Sequence, residues 1–136
     1  TNKWYEFNKQ LNDEFGIISA NNFFGKIHYK NYENKQEPNE LSLSKSYYQK
    51  NLKLLKKTSD AGGKLQILLS YADLMEISKK EKLIDEFEKL SDVLLKELKQ
   101  FGEIKSQAYK NMILESFKPI KKSNDNNYKS AKLILS

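Results

Sequence analysis

Cysteine is absent from these 136 residues, which excludes disulfides, thiol nucleophiles and thiolate metal sites together. Arginine is absent too, so all 24 basic residues are lysine. Without guanidinium forks the chain cannot make bidentate contacts to guanine, carboxylate or phosphate. Histidine occurs once, at His28. No apolar run approaches the roughly 18 to 20 residues that cross a membrane. No catalytic, cofactor or metal motif stands out, so the chain reads as non-enzymatic, with no cofactor and no metal.

What remains is helical. Hydrophobic residues make up 38% and charged residues 31%, a balance that suits a slim helical bundle with wet outer faces. The length fits one domain over residues 1–136. The first residue is Thr1 rather than Met, which suggests a processed or trimmed N-terminus.

Periodicity predicts five helices. In the first, over residues 1–16, Asn2 is a candidate cap, Trp4, Phe7, Leu11 and Phe15 form an apolar stripe, and Gly16 is a candidate stop. Residues 17–43 read as an irregular connection. Phe23, Phe24 and Ile27 could line a short helix capped by Ser19, IHYKNY and ELSLS could be extended, and Pro38 marks a loop. The second helix is expected over about 44–58, broken by SDAGG. The third, over about 64–77, is apolar around most of its circumference, with Gln66, Ser70, Asp73 and Ile77 on a narrow outer stripe. Ser78 and Glu81 form a capping-box pattern for the fourth, whose seam is Leu83, Phe87, Leu90, Leu94, Leu98 and Phe101 and which Gly102 ends. The fifth runs over about 103–118 to Pro119. Residues 121–136 read as a polar linker and short tail. The short connections predict an all-α fold, an antiparallel four-helix bundle over about 44–118 (core 44–120) with an additional N-terminal amphipathic helix.

Charge is distributed unevenly. Residues 78–100 are neutral, with acids and lysines interleaved, whereas residues 41–64 carry +5 and residues 101–122 carry +3. In an up-down-up-down bundle the two basic segments would lie side by side as one face. The stretch SKSYYQKNLKLLKK (44–57) divides on a helical wheel. Tyr48, Leu52 and Leu55 lie together, flanked by Tyr47, Asn51 and Leu54, while Lys50, Lys53, Lys56 and Lys57 sit opposite. Basic and aromatic features therefore fall on different faces, which argues against base stacking.

Other constellations weigh toward bland readings. His28 comes with no acid partner or second ligand in the sequence around it. Asp73 and Glu76 lack the partner motifs of a carboxylate metal site. Gly62-Gly63 suits an interhelical turn better than a phosphate loop, since no strand precedes it. The Trp4 stripe could meet a membrane or partner helix, but Glu6, Asp13 and Glu14 on its polar side favour core docking. Tyr29, Tyr32, Tyr47 and Tyr48 form a tyrosine-rich region suited to protein contact.

The arginine-free, cysteine-free, lysine-rich helical texture is similar to surface or secreted proteins of AT-rich bacteria such as borreliae and mollicutes. No motif carries that resemblance, and no functional residue is transferred through it. The expectation is a helical binding module, secreted or surface-exposed, that contacts an acidic protein or sulfated polysaccharide. Its expected contact residues are Lys50, Lys53, Lys56, Lys57, Lys105, Lys110, Lys118, Tyr29 and Tyr32. The alternative is a plasmid- or phage-type protein using the same lysines on nucleic-acid phosphates without sequence discrimination.

Overall fold

The computed structural model describes residues 3–120 and 126–136, with side chains from residue 13 onward. The cap Asn2, the side chains of Trp4, Phe7 and Leu11, and residues 121–125 of the linker lie outside the described residues. Among the described residues the chain is all-helical, with six α-helices and no strand: α1 Lys3–Lys35, α2 Pro38–Leu52, α3 Ala61–Glu81, α4 Ile84–Phe101, α5 Gln107–Ser116 and α6 Asn126–Ile134. A 3-10 turn, Leu55–Lys57, follows α2. The chain divides into two compact units, Thr1–Ile67 and Leu68–Ser136.

The first unit overturns the irregular connection. α1 continues through Gly16 for 33 residues. Glycine weakens a helix interior by about 1 kcal/mol relative to alanine but does not end it. The helix persists because Ile18, Asn21, Asn22 and Gly25 recur at three- and four-residue steps and are all buried. Three of these four side chains are polar or absent, so a search for apolar periodicity does not see them. α1 ends where Gln36 adopts φ 57°, its N–H bonded to the Tyr32 carbonyl at 2.7 Å. Pro38 starts α2 rather than marking a loop, since its fixed φ and missing donor suit the first helical turn. ELSLS is therefore helical, with Leu41 and Ser44 buried.

Antiparallel pairing of α1 and α2 follows from their contacts. Going up α1, Ile18 and Asn21 meet Asn51, Gly25 meets Ser44, and His28 meets Glu40. Tyr48 is 2% exposed, and its ring fills the space that a Cβ at Gly25 would need, 2.6 Å from Cζ. After the 3-10 turn, Asp60 begins α3. Its carboxylate accepts from Gly63 N–H at 3.0 Å and its carbonyl from Lys64 N–H at 2.9 Å. The break therefore occupies residues 58–60, and Gly62 and Gly63 are already helical.

In the second unit, α3 is buried nearly all round. Leu68, Leu69, Tyr71, Ala72, Leu74, Met75 and Ile77 are core, and Ser70, expected outside, is fully buried with Ile77. The Ser78 capping box does not form. α3 passes through Ser78 and ends at Lys82, which takes φ 59°, with Leu83 N–H on the Ser78 carbonyl and Lys82 N–H on the Lys79 carbonyl. This is a Schellman stop with lysine at the position usually held by glycine, so the Ser78 backbone serves a C-terminus rather than an N-cap. The α4 seam holds at its centre: Phe87, Leu94 and Leu98 are buried, Leu90 and Phe101 half-buried, and Leu83 exposed. Gly102 ends α4 at φ 100°. Ser106 caps α5 by accepting from Tyr109 N–H at 3.3 Å. The C-terminal tail forms α6, which buries Ala131 and Leu135 and ties Asn127 to Ser91 and Asp92 of α4.

Candidate interaction surface on the α1–α2 hairpin

The inner side of the hairpin is polar and fully engaged. Asn21 donates to Asn51 Oδ1 at 2.9 Å, and Asn51 donates to the Ile18 carbonyl at 2.9 Å and to Asn22 Oδ1 at 3.1 Å. Asn22 in turn reaches the carbonyl and side-chain oxygen of Gln66, each at 3.0 Å. Asn51 is 0% exposed. A buried amide left unsatisfied costs about 1–3 kcal/mol, so this chain of bonds tolerates one alignment of the helices and fixes their register.

Toward the turn, His28 Nδ1 meets Glu40 Oε2 at 2.6 Å, and Asn31 adds a longer contact at 3.4 Å. Glu40 is thus the acid partner that the sequence around His28 does not reveal, because it arrives from α2, twelve residues away. The His28 hydrogen bond holds the Glu40 carboxyl below its ordinary value, with Asn31 reinforcing it. A depressed carboxyl stabilises the fold above its unfolded value, and that contribution is lost as pH falls through the lower folded value. Ser44 donates to the Gly25 carbonyl at 2.6 Å, so its hydroxyl does not serve His28 as a nucleophile would. The pair acts as an interhelical clasp.

Around the clasp the surface turns aromatic. The His28 ring stacks on Tyr47 at 5.6 Å and 7°, Phe24 lies 5.3 Å from Tyr47, and Phe23 lies edge-on to Phe24. Lys50 Nζ sits 4.6 Å from the Tyr47 ring centre. The two tyrosines therefore part company. Tyr48 enters the core as expected, but Tyr47 is half-buried at the surface between Phe24, His28 and Lys50. Tyr47 and Lys50 are three residues apart and hence neighbours on a helix, so aromatic and basic features do meet there.

The expected contact residues are distributed over both units. Lys50, Lys53, Lys56 and Lys57 are all exposed on the first, and among the described residues no carboxylate pairs with any of them. Lys105, Lys110 and Lys118 belong to the second. Lys105 is exposed and Lys110 half-buried, while Lys118 pairs with Glu115 at 2.8 Å. That contact raises the Lys118 ammonium pKa and lowers the Glu115 carboxyl pKa, and it partly cancels the local positive charge. Tyr29 and Tyr32 are half-buried on the α1 side that also carries Ile18 and Gly25, their rings 6.5 Å apart. Sequence reasoning missed Phe23, Phe24 and Ile27 as surface residues, because apolar residues are read as core. Among the described residues no three potential metal ligands cluster. No family model, curated protein or solved structure matches the chain.

Proposed function

We propose that the protein is a non-enzymatic helical binding module, secreted or surface-exposed, that contacts an acidic protein or a sulfated polysaccharide through lysines. What carries the reading is Lys50, Lys53, Lys56 and Lys57: four exposed ammonium groups at the end of α2 and in the turn that follows, inside a stretch, 41–59, that contains no acid. An ordinary wet helix in this chain interleaves its charges, as α4 does, so solubility alone leaves the missing acids unexplained. Lys105, Lys110 and Lys118 extend the same surface if α2 and α5 are neighbours in an antiparallel bundle, which is the finer arrangement the proposal includes.

Binding to heparin, polyglutamate and double-stranded DNA, measured across a salt series, tests it. Salt-sensitive binding to heparin or polyglutamate, reduced about tenfold or more by Lys50→Gln/Lys53→Gln/Lys57→Gln, is expected. Tighter binding to DNA that the same substitutions abolish assigns the lysines to nucleic acid instead. Indifference to all three polyanions overturns the reading.

A further inference from the structure

The middle of helix α1 buries Asn21, Asn22 and Gly25 beside Ile18 and exposes apolar side chains. Asn21, Asn22 and Gly25 face α2, while Ile17, Ala20, Phe24 and Ile27 recur at three- and four-residue steps on a flank turned away from that contact, Phe24 bordering Tyr47 of α2 and Phe23 at the opposite edge. These side chains stand in water: Ile17 is 55% exposed, Phe23 60%, Phe24 43% and Ile27 38%. Folded proteins rarely leave a contiguous aromatic and aliphatic ridge uncovered unless another surface covers it in use.

The charge around the ridge indicates which surface. Between Phe15 and Tyr32, α1 carries Lys26 and Lys30 and no acid. Lys26 lies one turn from Phe23, and Lys30 one turn from Ile27, along one edge. On the other edge Lys50 covers Tyr47, which packs on Phe24. The acids nearest the ridge are Asp13, one turn before Ile17, and Glu40, which is engaged by His28 behind Tyr47. A second copy would set one lysine-edged ridge against another, like charge on like. A polysaccharide can stack a sugar face on an exposed ring but offers no hydrocarbon to cover Ile17 and Ile27. Phe23 and Phe24 diverge by about 100° with Ile27 between them, a convex profile as wide as the whole apolar stripe that one partner helix presents. A convex apolar ridge flanked by lysines matches the boundary between anionic headgroups and acyl chains.

We propose that the α1 ridge docks on an anionic lipid surface. Phe23, Phe24 and Ile27 enter the headgroup–acyl boundary, and Lys26, Lys30 and Lys50 stay at the phosphates. The helix lies along the surface and does not span it; among the described residues no helix is long and apolar enough to cross a membrane. The inference goes beyond the polyanion reading, since it rests on the ridge and needs none of Lys53, Lys56 or Lys57.

The test is co-sedimentation of the full chain with phosphatidylcholine vesicles, with and without about 30% phosphatidylglycerol, at about 0.1 M salt. The anionic vesicles are expected to bind at least about tenfold more strongly than the neutral ones. Phe23→Ser/Phe24→Ser should lower that binding about tenfold while the helical circular dichroism is kept, with Phe23→Ser alone, at the more exposed position, leaving the melting temperature nearly unchanged and still weakening binding. Lys26→Gln/Lys30→Gln should cut the preference for anionic vesicles severalfold, and adding Lys50→Gln should cut it further. Three results overturn the proposal: no binding to either vesicle, undiminished binding by the phenylalanine variant, or a dimer that this variant dissolves while vesicles are ignored. Heparin binding by the phenylalanine variant reports separately on the polyanion reading.

Discussion

In α4, Phe87, Leu94 and Leu98 lie inside and Lys89, Lys96 and Lys99 outside; in α1, Asn21, Asn22 and Gly25 lie inside while Phe23, Phe24 and Ile27 face water. α4 is held chiefly by apolar burial, which is non-directional and scales with area. The α1–α2 pair buries Ile18, Leu41 and Tyr48 too, but adds directional bonds and one close backbone approach, which tolerate no slip. A helix whose neighbour is satisfied by polar groups is free to present its apolar side elsewhere. That freedom is what makes the hairpin, and not α4, the candidate contact surface.

The comparison breaks first on truncation. Leu94→Ala should cost about 3 kcal/mol, since it leaves a cavity in a fully buried apolar site. Asn51→Ala should cost about 2 kcal/mol despite removing no hydrocarbon core, because Asn21 and the Ile18 carbonyl lose their partner. Urea unfolding at neutral pH measures both. An Asn51→Ala loss below about 0.5 kcal/mol would mean that the polar chain does not hold the hairpin.

Two glycines in the same helix sharpen the contrast further. Gly25→Ala drives a methyl to 2.6 Å from the buried Tyr48 ring and should cost about 2 kcal/mol. Gly16→Ala meets nothing within 4 Å and should stabilise the helix by about 0.5–1 kcal/mol. Equal effects at both sites would contradict the close approach at Gly25.

The smallest effect concerns pH. Glu40→Gln removes a carboxyl that His28 holds below its ordinary value of 4.5. Wild type should therefore lose stability as pH falls from that value through the lower folded one, and the variant should lose less over the same window. Parallel unfolding curves for the two proteins from pH 6 to about pH 3 would remove the clasp from the account.

Legibility followed the same division. The α4 seam, the Gly102 stop and the near-total burial of α3 were readable, because apolar spacing reports burial wherever burial is apolar. The Gly16 stop and the loop over 17–43 failed because α1 is held there by Asn21, Asn22, Gly25 and His28, which spacing rules treat as polar or helix-breaking. Pro38 suits a loop and the first turn of a helix equally well, and nothing local chooses between them. The Ser78–Glu81 pattern is locally indistinguishable from a capping box, and only the Schellman stop at Lys82 decides against it. For the candidate surface, the lysines of 50–57 were legible as a charge excess. Phe23 and Phe24 were not, since nothing local says which side of a helix its neighbour occupies.

The hairpin exposes Phe24 of α1 and buries Ser44 of α2 in the seam between the helices, and the absence of native cysteine makes that contrast directly measurable. Single variants Phe24→Cys and Ser44→Cys can be followed by thiol labelling under native conditions. The account predicts that Phe24→Cys reacts nearly as fast as in the unfolded chain, and that Ser44→Cys, at a site 0% exposed, is slowed on the order of a hundredfold or more. Comparable rates at the two sites, or protection at position 24 with ready labelling at position 44, would contradict it.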